Sequence, residues 1–328
     1  MSKNPYYSGP VSDHFDGTRF FISGHTNDKS RADLLKWRME TRERAIWPKS
    51  WPSPFSDAPP QRVEGAQLRV SYIGHASFLI QTQGLNFLID PVWSERASPL
   101  SFVGPRRVNA PGVAFDKLPP IDAVLVTHNH YDHLDMATLR RLVARNAPIV
   151  TPLGNDTIIR RAIPQARVHA YDWMQHHDFG GGVRAHLVPS YHWSARGLFD
   201  RRMALWASFV IETPGGRIYC IGDTGYRDGA IFRDVKMRFG APRLALVPIG
   251  AYAPRWFMRD QHADPEEAVK ILRDCAAQTA VAFHWGTFQL TDEPIDEPPR
   301  LLAEALAREG VAPQRFLVKR PGEFAWID

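Results

Sequence analysis

His128-Asn129-His130-Tyr131-Asp132-His133 follows without a break on the apolar run Ile121-Asp122-Ala123-Val124-Leu125-Val126-Thr127. Three imidazoles and a carboxylate thus fall within six residues at the mouth of a predicted strand. These are the ligand types that Zn²⁺, Fe and Mn²⁺ take in catalytic sites. A strand delivers such side chains to a fixed point, and the loop after it can turn all of them into one cavity. His128 and His130 can then hold one metal while Asp132 and His133 face a second. Two metals side by side make a hydrolytic centre.

Six residues cannot complete two metal sites, so further ligands must come from other strand ends. His192 follows the strand-like run that ends Leu187-Val188-Pro189-Ser190-Tyr191, and His284 follows Thr279-Ala280-Val281-Ala282-Phe283. Asp223 follows Ile218-Tyr219-Cys220-Ile221-Gly222, where the glycine lets the chain turn and the carboxylate project. Asp223 is the natural bridge, because a carboxylate has two oxygens and can span metals about 3.5–4 Å apart. On its own, a histidine or aspartate at such a place is more often a turn or core residue; the six-residue cluster is what demands these partners. His75 and Asp90, each beside a strand end, have two readings: holding the ligands from behind, as carboxylates commonly do for metal-bound histidines, or shaping a turn. The pair His176-His177, in a polar stretch near glycines, reads as a solvated loop.

Around this centre the chain divides in two. Residues 1–60 carry clustered Pro, Arg and Trp with little strand pattern, and read as an arm with one helix, about 33–46, packed on the main fold. Residues 61–328 form the hydrolase domain. Short strands are expected at 68–73, 77–80, 86–89, 121–127, 183–189, 204–212, 216–222, 243–248, 279–284 and 315–319. Helices are expected near 136–145, 228–239, 264–276 and 299–309, the third with Asp264 as N-cap, Pro265 next and acids in its first turn. The order implies an α/β fold of two sheets packed face to face with helices outside. Hydrophobic residues are 44% and charged residues 23% of the 328, as in ordinary globular proteins. The net charge of +5 favours anionic partners without choosing one. Two cysteines, Cys220 and Cys275, exclude a disulfide framework and read as buried thiols. No apolar run reaches the ~20 residues of a membrane span, and the first residues lack a signal peptide, so a cytoplasmic protein is expected.

The ligand pattern resembles the metallo-β-lactamase superfamily, whose αββα sandwich carries two metals at one edge of its sheets. By that resemblance His128, His130 and His192 bind the first metal, Asp132, His133 and His284 the second, and Asp223 bridges. Finer likeness lies in Ile73-Gly74-His75-Ala76-Ser77, Asp90-Pro91-Val92-Trp93, Gly222-Asp223-Thr224-Gly225-Tyr226, Gln261-His262-Ala263-Asp264-Pro265 and His284-Trp285-Gly286-Thr287-Phe288. These stretches, running in order through residues 65–328, resemble the N-acylphosphatidylethanolamine-hydrolysing phospholipase D family. The first 60 residues match it poorly.

The resemblance implies a phosphodiesterase with two divalent ions, most simply Zn²⁺, though Fe and Mn fit the same donors. Two cations neutralise the phosphodiester and lower the pKa of a bridging water, which attacks phosphorus and releases N-acylethanolamine and phosphatidic acid. Asp132, Asp223 and His262 are the residues expected to carry this chemistry. Gln261 and His262 would sit near the phosphate, and Tyr131 would line the pocket or pack beneath it. A phospholipid or another phosphodiester is the expected partner, and a homodimer follows from the resemblance alone. A lactonase or a phosphodiesterase for a small soluble substrate is the competing reading on the same fold. No basic or aromatic RNA-holding module is evident, so nucleic acid is not expected. In the arm, Leu34, Leu35, Met39, Ile46 and Trp47 alternate with Lys36, Arg38, Arg42 and Arg44. Such a helix can dock on the sandwich, the favoured reading, or lie as a peripheral element in a lipid interface on the inner face of the membrane.

Overall fold

The computed structural model describes residues 4–24, 29–40 and 44–328. In the arm, α1 (Arg31–Glu40) is the helix. β1 (Leu68–Gly74), β2 (Ser77–Thr82) and β3 (Leu85–Ile89) follow as an antiparallel meander. Then come β4 (Ala123–Leu125), α2 (Met136–Val143), β5 (Ile149–Pro152), α3 (Asn155–Ala162) and β6 (Val168–Tyr171). The second half opens with β7 (His176–Gly180), β8 (Val183–Val188), β9 (Ser208–Thr213) and β10 (Gly216–Cys220). It continues through α4 (Ala230–Phe239), β11 (Leu244–Pro248), α5 (Arg255–Met258), α6 (Pro265–Asp274) and β12 (Thr279–Phe283). The chain ends in α7 (Glu297–Arg308), β13 (Phe316–Leu317) and β14 (Phe324–Ile327).

Two seven-stranded sheets result, in the orders β14-β1-β2-β3-β4-β5-β6 and β13-β12-β11-β10-β9-β8-β7. Each begins antiparallel and turns parallel: β3 pairs in parallel with β4, and β10 with β11. Parallel neighbours need a crossover long enough to return the chain; between β3 and β4 the irregular segment 90–122 supplies it, with one 3-10 turn at Phe115–Lys117, and between the later parallel strands helices do. Strand alternation then sorts the side chains. Phe78, Ile80, Phe87 and Leu125 of the first sheet meet Leu187, Phe209, Ile211 and Phe283 of the second between the sheets. Their neighbours Leu79, Leu88 and Val124 face outward against Leu139 and Leu142 of α2 and Ile159 of α3. On the other side Tyr219, Val247 and Ala282 meet Phe232, Val269, Leu272 and Leu302 of the helices.

The αββα sandwich expected from the sequence is therefore present, with several boundaries moved. The run at 121–127 pairs as a strand only over Ala123–Leu125, and the run at 204–212 only from Ser208. α1 is helical over Arg31–Glu40 and residues 44–46 are no longer helical, short of the expected end near 46; Arg42 and the Arg38 side chain lie outside what is described. His176-His177 is no loop: both lie in β7, paired with β8 through His176↔His186 and His177↔Ala185. It is an edge strand whose side chains are half-buried or exposed, so it carries no apolar signature. α6 has the capping box its sequence implies, the Asp264 carboxylate accepting from the Glu267 amide at 2.8 Å.

The arm is strapped to the second half. Asn4 donates to the Met203 carbonyl at 2.8 Å, Phe20 hydrogen-bonds to Arg202, and Phe15 and Phe20 bury beside Leu205 and Trp206. His14 bridges to Asp172 at 2.7 Å. Further along, Trp37 of α1 stacks on Phe257 of α5 and donates to Asp292 at 2.6 Å.

Phe209 is fully buried between the sheets, whereas Met237 on α4 is 76% exposed. Phe209→Ala is expected to lower stability by about 3–5 kcal/mol, and Met237→Ala to change it by less than about 0.5 kcal/mol. Urea unfolding followed by tryptophan fluorescence reads both.

Candidate metal centre

Every expected ligand, and the two expected supporting residues His75 and Asp90, lies just past the carboxyl end of a strand. His75 follows β1, Asp90 β3, the cluster 128–133 β4, His192 β8, Asp223 β10 and His284 β12. The first sheet's β1, β3 and β4 run in one direction, as do β8, β10 and β12 in the second, so these ends share one rim of the sandwich. That rim is where the side chains converge.

They form two adjoining groups. In the first, His128 Nε2 and His192 Nε2 stand 2.9 and 3.1 Å from His130 Nδ1, and 3.9 and 3.6 Å from Asp223 Oδ2. In the second, His133 Nε2 and His284 Nε2 stand 3.3 and 3.2 Å from Asp223 Oδ1, and 3.5 and 3.3 Å from Asp132 Oδ2. The two oxygens of Asp223 thus face different groups, as a bridging carboxylate's would. The residues fit a pair of cations on their own chemistry. Three imidazole nitrogens crowd around one point in the first group. In the second, His133 Nε2, His284 Nε2 and Asp223 Oδ1 are buried with no hydrogen-bond partner. Unsatisfied polar atoms of this kind are rare in folded proteins and point to an ion or water.

Protonation follows the same division. Burial holds His128 well below the usual imidazole range, reinforced by the neighbouring imidazoles; His130 falls to about 4 and His192 to about 3, also chiefly through burial. These rings are neutral, with lone pairs available. Burial also lowers His133 and His284, but the Asp223 and Asp132 carboxylates overcome it, lifting His133 well above its ordinary value and His284 to about 9. Burial would raise Asp132 and Asp223, yet the histidines hold both well below the carboxylate range. The second group balances two carboxylates with two protonated imidazoles, the charge that one divalent ion would bring.

A second layer fixes the rings. His133 Nδ1 donates to Asp90 Oδ2 at 2.7 Å, and Asp90 also accepts from the Thr127 amide at 2.7 Å and the Thr127 hydroxyl at 2.6 Å. With its own proton given to Asp90, the Thr127 oxygen accepts from His128 Nδ1 at 3.0 Å. A single carboxylate thereby orients one ring in each group with Nε2 turned to the centre; a bound ion would take the place of the proton on His133 Nε2. Thr127 also fills the space where Gly222, at φ +68°, lacks a Cβ: one would lie 2.9 Å from its methyl. His75 Nε2 donates to Asp132 at 2.8 Å, and His192 Nδ1 to the Gln261 carbonyl at 3.0 Å. His75, Asp90 and His284 all hold left-handed backbone, φ +56°, +40° and +64°. Each such residue costs on the order of 1–3 kcal/mol and persists because its surroundings demand it.

Gln261 thus reaches the centre through its backbone, while its side chain turns to Met258. His262 stands closer to the ligands than expected, its Nδ1 3.9 Å from Asp223 Oδ2 and within reach of a donor set with His284. Tyr131 points away from the metals: its hydroxyl donates to the Arg196 carbonyl at 2.8 Å and its ring carries the Arg196 guanidinium. Sequence reasoning missed Thr127, Arg196 and Trp193. Arg196 donates to the Asn129 and Leu134 carbonyls on either side of the metal loop, and Trp193 abuts His130 edge to face. Only adjacency to a ligand, Thr127 before His128 and Trp193 after His192, could have flagged any of them. A cleft lined by Tyr191, His192, Trp193, Arg201, Arg227 and Gln261 adjoins the centre and brings guanidinium groups to its mouth.

Residues 85–285 match the family described as the beta-lactamase superfamily domain. An uncharacterized protein of Mycobacterium tuberculosis is 39% identical over 286 residues, 85% of this chain and 75% of that protein. The N-acyl-phosphatidylethanolamine-hydrolyzing phospholipase D 1 of Caenorhabditis elegans is 35% identical over 267 residues, 78% of this chain and 75% of that one. The fold is also that of an isothiocyanate hydrolase from Delia radicum gut bacteria, with a TM-score of 0.62 and 22% identity over 79% of this chain and 99% of that one.

Thr127→Val keeps the shape and removes the hydroxyl; Thr127→Ser keeps the hydroxyl. The valine variant is expected to bind metal about 10–100-fold more weakly, as outer-sphere partners of ligands typically do, and the serine variant to recover most of the loss. Metal content after titration with a competing chelator decides it; equal retention by all three proteins would remove Thr127 from the network.

Proposed function

The chain belongs to the metallo-β-lactamase superfamily, is a metal-dependent hydrolase, and is a relative of the worm phospholipase D; from this we propose a phospholipase D-type phosphodiesterase cleaving N-acylphosphatidylethanolamine-like lipids. The observation that carries the reading is Asp223, whose two oxygens face two separate sets of buried donors. A phosphodiester is an anion that repels its nucleophile, and a paired-cation centre answers that difficulty. When bound, two divalent ions, Zn²⁺ being the simplest choice, neutralise the diester and make water acidic enough to react near neutral pH.

In this reading the protein's own groups divide the remaining work. Asp132 and Asp223, held ionised, keep the donors in place. Asp90 and Thr127 fix the ring orientations on both sides. His262 is neutral, lowered by burial, so one of its ring nitrogens carries a proton that it can donate to a phosphoryl oxygen. Its Nδ1 has no hydrogen-bond partner in the protein. The guanidinium groups of Arg201 and Arg227 beside His192 draw the anionic substrate to the cleft. Among the described residues no helix is long and apolar enough to cross a membrane. In this proposal the protein meets its lipid as a peripheral protein.

The test is hydrolysis of a defined N-acylphosphatidylethanolamine by metal-loaded protein, beside His284→Ala and with bis(p-nitrophenyl) phosphate in parallel. Release of N-acylethanolamine and phosphatidic acid, falling at least about 100-fold in the variant, is the expected result. Cleavage of the small diester alone would replace the lipid with a small soluble substrate. No cleavage of either would turn the search to lactones.

A further inference from the structure

A cavity of about 470 Å³ lies behind the metal loop, reached by Tyr131 and Leu134 but by none of the metal-ligating side chains. Ser98 and Leu100 line it on one side, Met136 at the start of α2 on another, and Arg96, Arg140 and Arg196 project to it. Its acids are already engaged. Glu95 pairs with Arg106, and Asp135 accepts from the Ala137 and Ser94 amides and the Thr138 hydroxyl. The three arginines donate instead to backbone carbonyls: Arg96 to Gly104 at 2.6 Å, Arg140 to Ala162 at 3.4 Å, and Arg196 to Asn129 and Leu134. Among the described residues none of the three has a carboxylate within ion-pair distance. Three guanidinium groups face two carboxylates there, so the cavity is net positive, a setting that favours an anion with oxygens for a guanidinium fork.

The loops beside it are unusually apolar at their tips. Leu100 and Val103 are about half exposed, Phe102 is 77% exposed, and Leu198, two residues beyond Arg196, is 85% exposed. Large apolar side chains held in water above a cluster of guanidinium groups match the layering of a lipid interface, with hydrocarbon above and phosphate below. α1 offers Leu35 and Met39 to solvent as well, but its Lys36 is occupied by the Trp256 ring and Glu40.

We propose that the loops over 94–104 and 196–198, with the cavity between them, seat the protein on an anionic lipid surface, a headgroup phosphate entering among Arg96, Arg140 and Arg196. The phosphate is held by charge and by guanidinium forks, while Phe102 and Leu198 enter the acyl boundary. Such seating brings the membrane against the back of the metal loop, through Arg196 and Tyr131, and needs no turnover. It deepens the lipid reading above, and a binding measurement keeps the two separable.

The full chain is floated with vesicles of phosphatidylcholine, alone and mixed with phosphatidylglycerol, for wild type, Arg96→Ala/Arg140→Ala, Phe102→Ser/Leu198→Ser and Leu35→Ser/Met39→Ser. Wild type is expected to prefer the anionic vesicles and to be released by salt. Each arginine near a charged surface is worth roughly fivefold, so the arginine pair should lose about twenty-five-fold. The Phe102/Leu198 pair should also lose binding, and the α1 pair should not. Circular dichroism and a thermal melt matching the wild type report that the fold of the arginine pair is intact. Equal binding to both vesicle types, unchanged binding by the arginine pair, or loss confined to the α1 pair would each overturn the proposal. Release of the protein from vesicles by glycerol 3-phosphate at millimolar level, with no effect of Phe102→Ser/Leu198→Ser, would overturn it too, reassigning the cavity to a soluble phosphate.

Discussion

A carboxylate taken out of water must be met by positive charge or by donors, and Asp223 is buried with five histidines around it. Leaving a buried charge unmatched is among the most destabilising things a fold can do. The rim of the sandwich is organised around that requirement. Both sheets send strand ends toward one point, residues in left-handed backbone are tolerated there, and ring orientation is enforced by Asp90 and Thr127. The hydrophobic layers between and outside the sheets make this arrangement affordable, because Phe78, Phe209 and Phe283 hold the two halves in register.

The two halves reach the rim by the same route. Each sheet starts as an antiparallel meander and continues as parallel strands joined by helices, although the chain has no sequence repeat. Because the halves face each other, each contributes ligands to both groups. His128, His130 and His133 come from the first half, His192, Asp223 and His284 from the second. Neither half could hold a metal pair by itself.

Much of this was legible in the residues. The cluster 128–133 announces itself because local sequence spacing alone brings its members together. His192, Asp223 and His284 were readable once strand ends became the place to look. The apolar runs of β1, β2, β11 and β12 are plain, since buried strands must be apolar. β7 was misread because an edge strand with polar faces, His176-His177-Asp178, has no pattern separating it from a loop. β5, four residues long and ending in Pro152, is too short to show a period. Thr127 and Arg196 were missed for a different reason. They act through a hydroxyl and through backbone carbonyls, and which partners they meet depends on packing distant in the chain.

The strap formed by residues 4–24 has a bearing on the order in which the molecule is made. Asn4, Phe15 and Phe20 find their partners at Arg202, Met203, Leu205 and Trp206, just downstream of His192. Residues 4–20 are therefore made well before their partners at 202–206 and have nowhere to bind until those follow. During that interval two phenylalanines travel without a core. When the strap finally closes, it fastens the segment that follows His192, so a stretch made early secures a wall of the metal centre made much later.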